Sequence, residues 1–228
     1  MSALHKFGAG NMPALPYTVW DTGASISAAY PYQAAAVSIE AVSSSIEDDT
    51  VKADEAAGSG AWTIFVQGLD ANWNEVSEII TLNGAAAVAG TKSYIRVFRA
   101  YVLTAGSSGA QVGNITIRIA SAGATLAYIA SDAGQTLMAT WSVPLGKTFS
   151  LERVWASTGE AKVSTVDLRV RLFGGVFRTK VRFTVFQSLE QVNYDRPLII
   201  PAKSDIEVIA TGNATEFDVY AGFDGLYL

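Results

Sequence analysis

VDLRVRLFGGVFRTKVRFTVF, Val166 to Phe186, alternates apolar and polar residues on both sides of the pair Gly174-Gly175. Alternation with a period of two marks a β-strand with one face in a core, and adjacent glycines supply the positive φ angles of a tight primed turn. The stretch therefore reads as a β-hairpin. With those glycines as its turn, Val166 faces Phe183, Leu168 faces Val181 and Val170 faces Thr179. Leu172 faces Phe177 and Phe173 faces Val176 at the tip. The other face sets Arg171 against Arg178, Arg169 against Lys180 and Asp167 against Arg182.

That charged face carries a conflict. Two of its three cross-strand pairs are like-charged, which destabilises a sheet when the residues are directly opposed. Five of the sixteen Lys and Arg residues lie between Arg169 and Arg182, in a chain whose net charge is −5. Either carboxylates on a neighbouring strand interleave with the arginines, or the face meets an acidic partner. Asp205-Ile-Glu-Val-Ile-Ala210 and Glu216-Phe-Asp-Val-Tyr220 put acids on one side and apolar residues on the other, so these strands are the natural internal partners.

Outward from the hairpin, the same rhythm continues. Strands are expected at 34–43, 61–69, 75–82, 93–103, 114–120, 126–130, 135–143, 148–156, 197–201, 205–210 and 216–223, separated by turn formers such as Asp70-Ala-Asn-Trp-Asn74 and Asn83-Gly84. The strand over 93–103 has no cleanly polar face and reads as covered on both sides. About a dozen strands with no convincing helix predict an all-β, antiparallel β-sandwich, jelly-roll-like and with extra strands. No linker stands out that would divide the chain, so 34–228 is expected as a single β-sandwich domain. Residues 1–33, interrupted by Pro13, Pro16 and Pro31, read as an extended N-terminal arm. The arm either lies on its own domain or docks on a neighbouring subunit, and Trp20 is placed to anchor it.

The 228 residues contain no cysteine, so no disulfide framework or thiolate metal site exists. The N-terminus lacks the continuous apolar run of a signal peptide, and no stretch approaches the ~20 apolar residues of a membrane-spanning helix. An acidic chain is poorly suited to direct nucleic-acid binding.

Catalytic chemistry finds little to use. His5 is the one histidine and lies in the presumed arm, where a nucleophilic triad is hard to build. There is no GxxxxGK[ST] and no GxGxxG, and no cofactor is expected. Asp205/Glu207 and Glu216/Asp218 are paired carboxylates of the kind that flank a glycosidic bond, yet i, i+2 acids are routine on the wet face of a sandwich. The acidic segment 46–55 reads as an exposed loop; clustered carboxylates suit hard cations, but their spacing matches no EF-hand. Trp73, flanked by Asn72 and Asn74, is either a stacking platform for a sugar or protein partner, or folds back over the sheet edge.

Four segments carry a resemblance: AWTIFVQGLDANWNEVSEIITLNG (61–84), SYIRVFRAYVLTAGSSGAQVGNITIRIA (93–120), QTLMATWSVPLGKTFSLE (135–152) and IPAKSDIEVIATGNATEFDVYAGFDGLYL (200–228). In texture and strand order they resemble virion structural proteins of tailed bacteriophages, particularly those of marine and cyanobacterial hosts. The resemblance implies a non-enzymatic protein of the virion, assembled in the host cytoplasm. A capsid cement, decoration or head-fibre component on the capsid surface is the leading expectation, with a neck or tail component as a variant. It also implies contacts with a major capsid protein or other virion proteins, and a homo-oligomer such as a trimer. A glycan-binding module for host adsorption, built on Trp73, is the alternative. The candidate interface residues are Trp20, Trp73, Arg169, Arg171, Arg178 and Lys180.

Overall fold

A computed structural model describes residues 4–8, 17–20, 33–44, 54–131, 133–158, 163–212 and 216–228. The strands run in order β1 Leu4–Gly8, β2 Tyr17–Trp20, β3 Val37–Ser43, β4 Ala61–Leu69, β5 Glu75–Thr81, β6 Val88–Tyr94, β7 Arg96–Ala105 and β8 Ile115–Ile119. They continue as β9 Thr125–Ile129, β10 Thr140–Ser142, β11 Phe149–Thr158, β12 Val163–Arg171, β13 Arg178–Phe186, β14 Leu189–Ile200, β15 Asp205–Gly212 and β16 Glu216–Tyr227. Among the described residues there is no helix, and every strand pairing is antiparallel. The fold class is all-β, as the alternating sequence requires.

The chain divides into two compact units: Met1–Ala28 with Leu137–Leu228, and Ala29–Thr136. This departs from the single domain expected over 34–228. The second unit is inserted in the first, and because both are built from short strands at the same spacing, the strand rhythm does not mark the joins.

The first unit is a jelly roll. One sheet has the order β1-β16-β11-β14, with β2 also on β16, and the other has the order β10-β15-β12-β13. The pairs β12·β13, β11·β14, β10·β15 and β1·β16 nest inside one another along the chain. They make one long hairpin rolled into two layers, the double Greek key of this architecture. Its tip is the stretch Val166 to Phe186. Inward-facing Phe149, Leu151 and Val154 from β11, Val219 and Phe223 from β16, Val166 and Leu168 from β12 and Ile206 from β15 are buried completely and form the core. Trp141 on β10 reaches the other sheet, where its Nε1 donates to the Tyr227 hydroxyl at 2.7 Å.

The segment expected as an arm supplies two strands to this unit's own sheet. β1 and β2 lie end to end along one edge of β16, Leu4 opposite Leu226 and Tyr17 opposite Val219. The rest of 1–32 lies outside the described residues.

The inserted unit stacks a sheet of order β6-β3-β8-β9 on one of order β5-β4-β7. Its core comprises Ile39, Ala41, Ile64, Val66, Ile115, Ile117 and Ile129, all fully buried. The single strand expected over 93–103 is two strands in different sheets. β6 ends at Tyr94, β7 starts at Arg96, and the Ile95 N–H donates to the Leu69 carbonyl at 2.9 Å at the corner between them. Gly68 makes that corner possible, because a Cβ there would lie 1.9 Å from the Arg96 carbonyl oxygen.

Candidate functional site

The tip hairpin keeps the expected register over half its length. Val166 pairs with Phe183, Asp167 with Arg182 and Leu168 with Val181. The ladder then slips by one: Arg169 faces Thr179 and Val170 faces Arg178, leaving Lys180 as a bulged extra residue. The bulge dissolves the conflict read from the sequence, since neither Arg171/Arg178 nor Arg169/Lys180 is a directly opposed pair. The turn also differs from expectation. The Gly175 N–H donates to the Leu172 carbonyl at 2.8 Å, so Phe173 and Gly174 are the central residues, and Gly174 takes the φ of 72°. Leu172, Phe173 and Val176 do not extend the core: they are 50, 65 and 68% exposed.

The arginines on the outer face of β12 find their carboxylates on β15, the strand that pairs along the other side. Arg171 sits opposite Asp205 and Arg169 opposite Glu207. Arg171 Nε and Nη2 donate to Asp205 Oδ2 at 2.9 and 2.7 Å, Arg169 Nη2 donates to Glu207 Oε1, and Ser142 Oγ on β10 donates to Asp205 Oδ1. Arg182 makes a fork with Asp167, both bonds at 2.7 Å, which raises the guanidinium pKa further above its ordinary value. The Phe177 ring lies against both neighbouring guanidiniums, 4.6 Å from Arg171 and 5.3 Å from Arg169. Of the two explanations for the basic face, the internal one holds for Arg169, Arg171 and Arg182. Arg178 and Lys180 remain exposed.

These contacts decide what the face can do. Asp205 and Glu207 are the i, i+2 acids with glycosidase-like spacing, but each is buried against its own arginine. A general acid needs a carboxyl with a raised pKa and access to substrate; the geometry here holds charges in fixed pairs. Glu216 and Asp218 pair in the other sheet, on β16, and their side chains lie outside the described residues.

Trp73 takes the second of its two readings. It is 8% exposed with a φ of 65°, and Arg96 lies 4.7 Å over its ring. Asp70 fixes the turn by accepting from the N–H groups of Asn72 and Asn74 at 2.8 and 2.9 Å. The indole is therefore no platform for an external ligand. Trp20 ends β2 opposite Glu216; its side chain, like that of His5, lies outside the described residues. Arg169, Arg171, Arg178 and Lys180 share the tip hairpin, and Trp73 belongs to the inserted unit.

The acidic segment is only partly as expected. Residues 46–53 lie outside the described residues, but Asp54 is not a solvated loop acid. It is fully buried and accepts hydrogen bonds from the N–H groups of Ala61, Val112 and Gly113 and from Ser43 Oγ, all between 2.7 and 2.9 Å. It ties three segments of the inserted unit together. Glu78 does similar work across the two sheets, accepting from Tyr94 OH at 3.0 Å and from the Thr91 N–H at 2.6 Å. Burial, then the Glu78 charge, pushes the Tyr94 hydroxyl pKa upward, so it stays a donor. Among the described residues, no group of three or more His, Asp or Glu is arranged to hold a metal ion.

Fold and site together define an all-β protein, a jelly roll carrying an inserted β-sandwich, in which Arg169, Arg171 and Arg182 are paired within the chain. No family model and no curated protein matches the sequence. Among solved structures, a chain of the T13 particle of infectious bursal disease virus aligns over all of this chain and 70% of its own length, at 11% identity and a TM-score of 0.27. Chains from the Gx and Gt strains of the same virus align over 99% of this chain and 67 and 69% of their own, at 9 and 10% identity, with TM-scores of 0.25 and 0.20. Likeness at that level carries no assignment.

Proposed function

We propose that this chain is a non-enzymatic structural protein of a bacteriophage virion that stabilises the particle through protein–protein contacts, as a capsid cement, decoration or head-fibre component. One observation carries the reading. The rolled hairpin that organises the jelly roll ends in an apolar tip, Leu172, Phe173 and Val176, each at least half exposed, while Arg169 and Arg171 behind it are paired within the chain. Exposed apolar residues in a cluster mark a surface that another macromolecule covers. Lys203 lies 5.0 Å over the Phe173 ring and adds a charge beside the apolar tip. The virion resemblance of the four quoted segments points to a particle as the setting. Repetition of a modest contact by symmetry multiplies its effect, so no single interface needs to be strong.

Cross-linking and mass spectrometry of purified virions test this. Links from Lys180 or Lys203 to a major capsid protein are the expected result, and links confined to neck or tail proteins would move the chain there. Absence of the chain from purified particles would overturn the proposal.

A further inference from the structure

We infer that the side of the jelly roll formed by β13 and β14 binds a second copy of this chain, with β13 of one copy set against β14 of the other. Each strand is the last in its sheet: among the described residues β13 pairs only with β12, and β14 only with β11. The two-residue connection Gln187-Ser188 carries the chain from one sheet to the other, so both open edges lie on the same side. The Gln187 N–H donates to Thr158 Oγ1 at 3.0 Å and fastens that arch to β11. An open strand edge is a template for another strand unless it is blunted.

Here the blunting is partial. The halves remote from the arch are irregular. β13 carries the Lys180 bulge, and β14 advances from Asn193 to Leu198 while β11 advances only from Arg153 to Leu151, so Tyr194-Asp-Arg-Pro197 leaves the ladder. The arch halves, Val181–Phe186 and Leu189–Asn193, keep regular pairing and an intact edge. They also carry exposed apolar side chains, Phe186 at 53% and Leu189 at 62%.

Charge selects which edge meets which. β13 bears Arg178 and Lys180 exposed, its Arg182 being held by Asp167, and no acid, whereas β14 bears Glu190 and Asp195 against the single Arg196. Two copies of β13 would set Arg178 and Lys180 against the same two residues. β13 against β14 opposes unlike charges and lets the apolar residues beside the arch meet. The same chain thus carries both halves of a complementary pair on one side. The inference concerns the isolated protein and stands apart from any place in a virion.

Light scattering after size-exclusion chromatography of the full chain tests it. The expected result is a closed oligomer whose association weakens at least tenfold in Leu189→Glu, and in Arg178→Glu with Lys180→Glu. Circular dichroism should stay unchanged in both, because all these positions are exposed. Adding Glu190→Lys and Asp195→Lys to the Arg178/Lys180 variant should restore association. A monomeric native chain would overturn the inference, as would an oligomer indifferent to Leu189→Glu. Failure of the four-fold charge swap to restore association would overturn the pairing of β13 with β14.

Discussion

Single acids hold this protein's turns, and Glu40 shows how. From β3 it accepts from the Ala122 N–H at 2.9 Å, from Arg118 Nε at 2.7 Å and from the Ser121 N–H at 3.1 Å. Ser121 and Ala122 both have positive φ, 67° and 58°, a conformation that non-glycine residues adopt at a cost. The carboxylate offsets that cost by binding the two N–H groups the turn presents. The Ala122 N–H and then Arg118 hold the Glu40 carboxyl below its ordinary value of 4.5, against a smaller opposing effect of burial. A carboxyl depressed in the folded state contributes stability that is complete above its unfolded value and disappears as pH falls through the folded value. Glu40→Gln should therefore be less stable than the native chain at neutral pH, and the difference should shrink below pH 4.5. Urea unfolding of both proteins at about pH 7 and about pH 3 measures it. A difference that persists unchanged in acid would mean that shape, not charge, is what Glu40 supplies. Nothing local in the sequence distinguishes Glu40 or Asp54 from a solvated acid. Their partners are 7 to 82 residues away in the chain, and only the folded backbone brings those N–H groups together.

At the scale of the element, the tip hairpin was largely legible. Alternation gave its two faces and its lower register, because period-two patterning acts over a few residues; of the two acidic strands expected beside it, Asp205–Gly212 supplies the acids that meet its arginines, whereas Glu216–Tyr227 lies in the other sheet. The Lys180 bulge was foreshadowed only as a conflict of like charges, and relief of that conflict is its physical rationale. Sequence also placed the turn one residue late and assigned the apolar tip to the core. The interaction of Arg169 with Glu207 gives this element a testable energetics. Glu207 is fully buried and Arg169 is 29% exposed along its side chain. Removing one partner of a buried pair leaves the other charge without its counter-ion, which costs about 3–5 kcal/mol; replacing both with apolar residues of similar volume is often near neutral. Glu207→Leu alone should then destabilise the chain strongly, and the double variant Arg169→Met/Glu207→Leu should regain most of the loss. Chemical denaturation of the two variants is the measurement. If the double variant is as unstable as the single one, the pair specifies the strand register rather than merely balancing its own burial.

At the scale of the molecule, the jelly roll and its insertion differ in how much the sequence disclosed. Strand rhythm is the same in both units, so it gave the architecture and concealed the division. The insertion lies in the first connection of the rolled hairpin, between β1 with β2 and β10. Every strand of the inserted unit finds its ladder partners inside Ala29–Thr136: β3 with β6 and β8, β4 with β5 and β7, β8 with β9. Its core and its buried acids are likewise internal, since Asp54, Glu40 and Glu78 all bond within that span. A unit with its own core and closed hydrogen bonding folds on its own. The fragment 29–136 is expected to give a strand-type circular dichroism spectrum and a cooperative urea transition. The fragment 137–228 should not behave equally well, because without β1 and β2 the whole outer edge of β16 is left unpaired. Supplying residues 1–28 ahead of it through a short flexible linker should restore that edge and raise its midpoint. If 29–136 proves unfolded in isolation, the two units are one cooperative body, and the insertion contributes to the stability of the jelly roll that receives it.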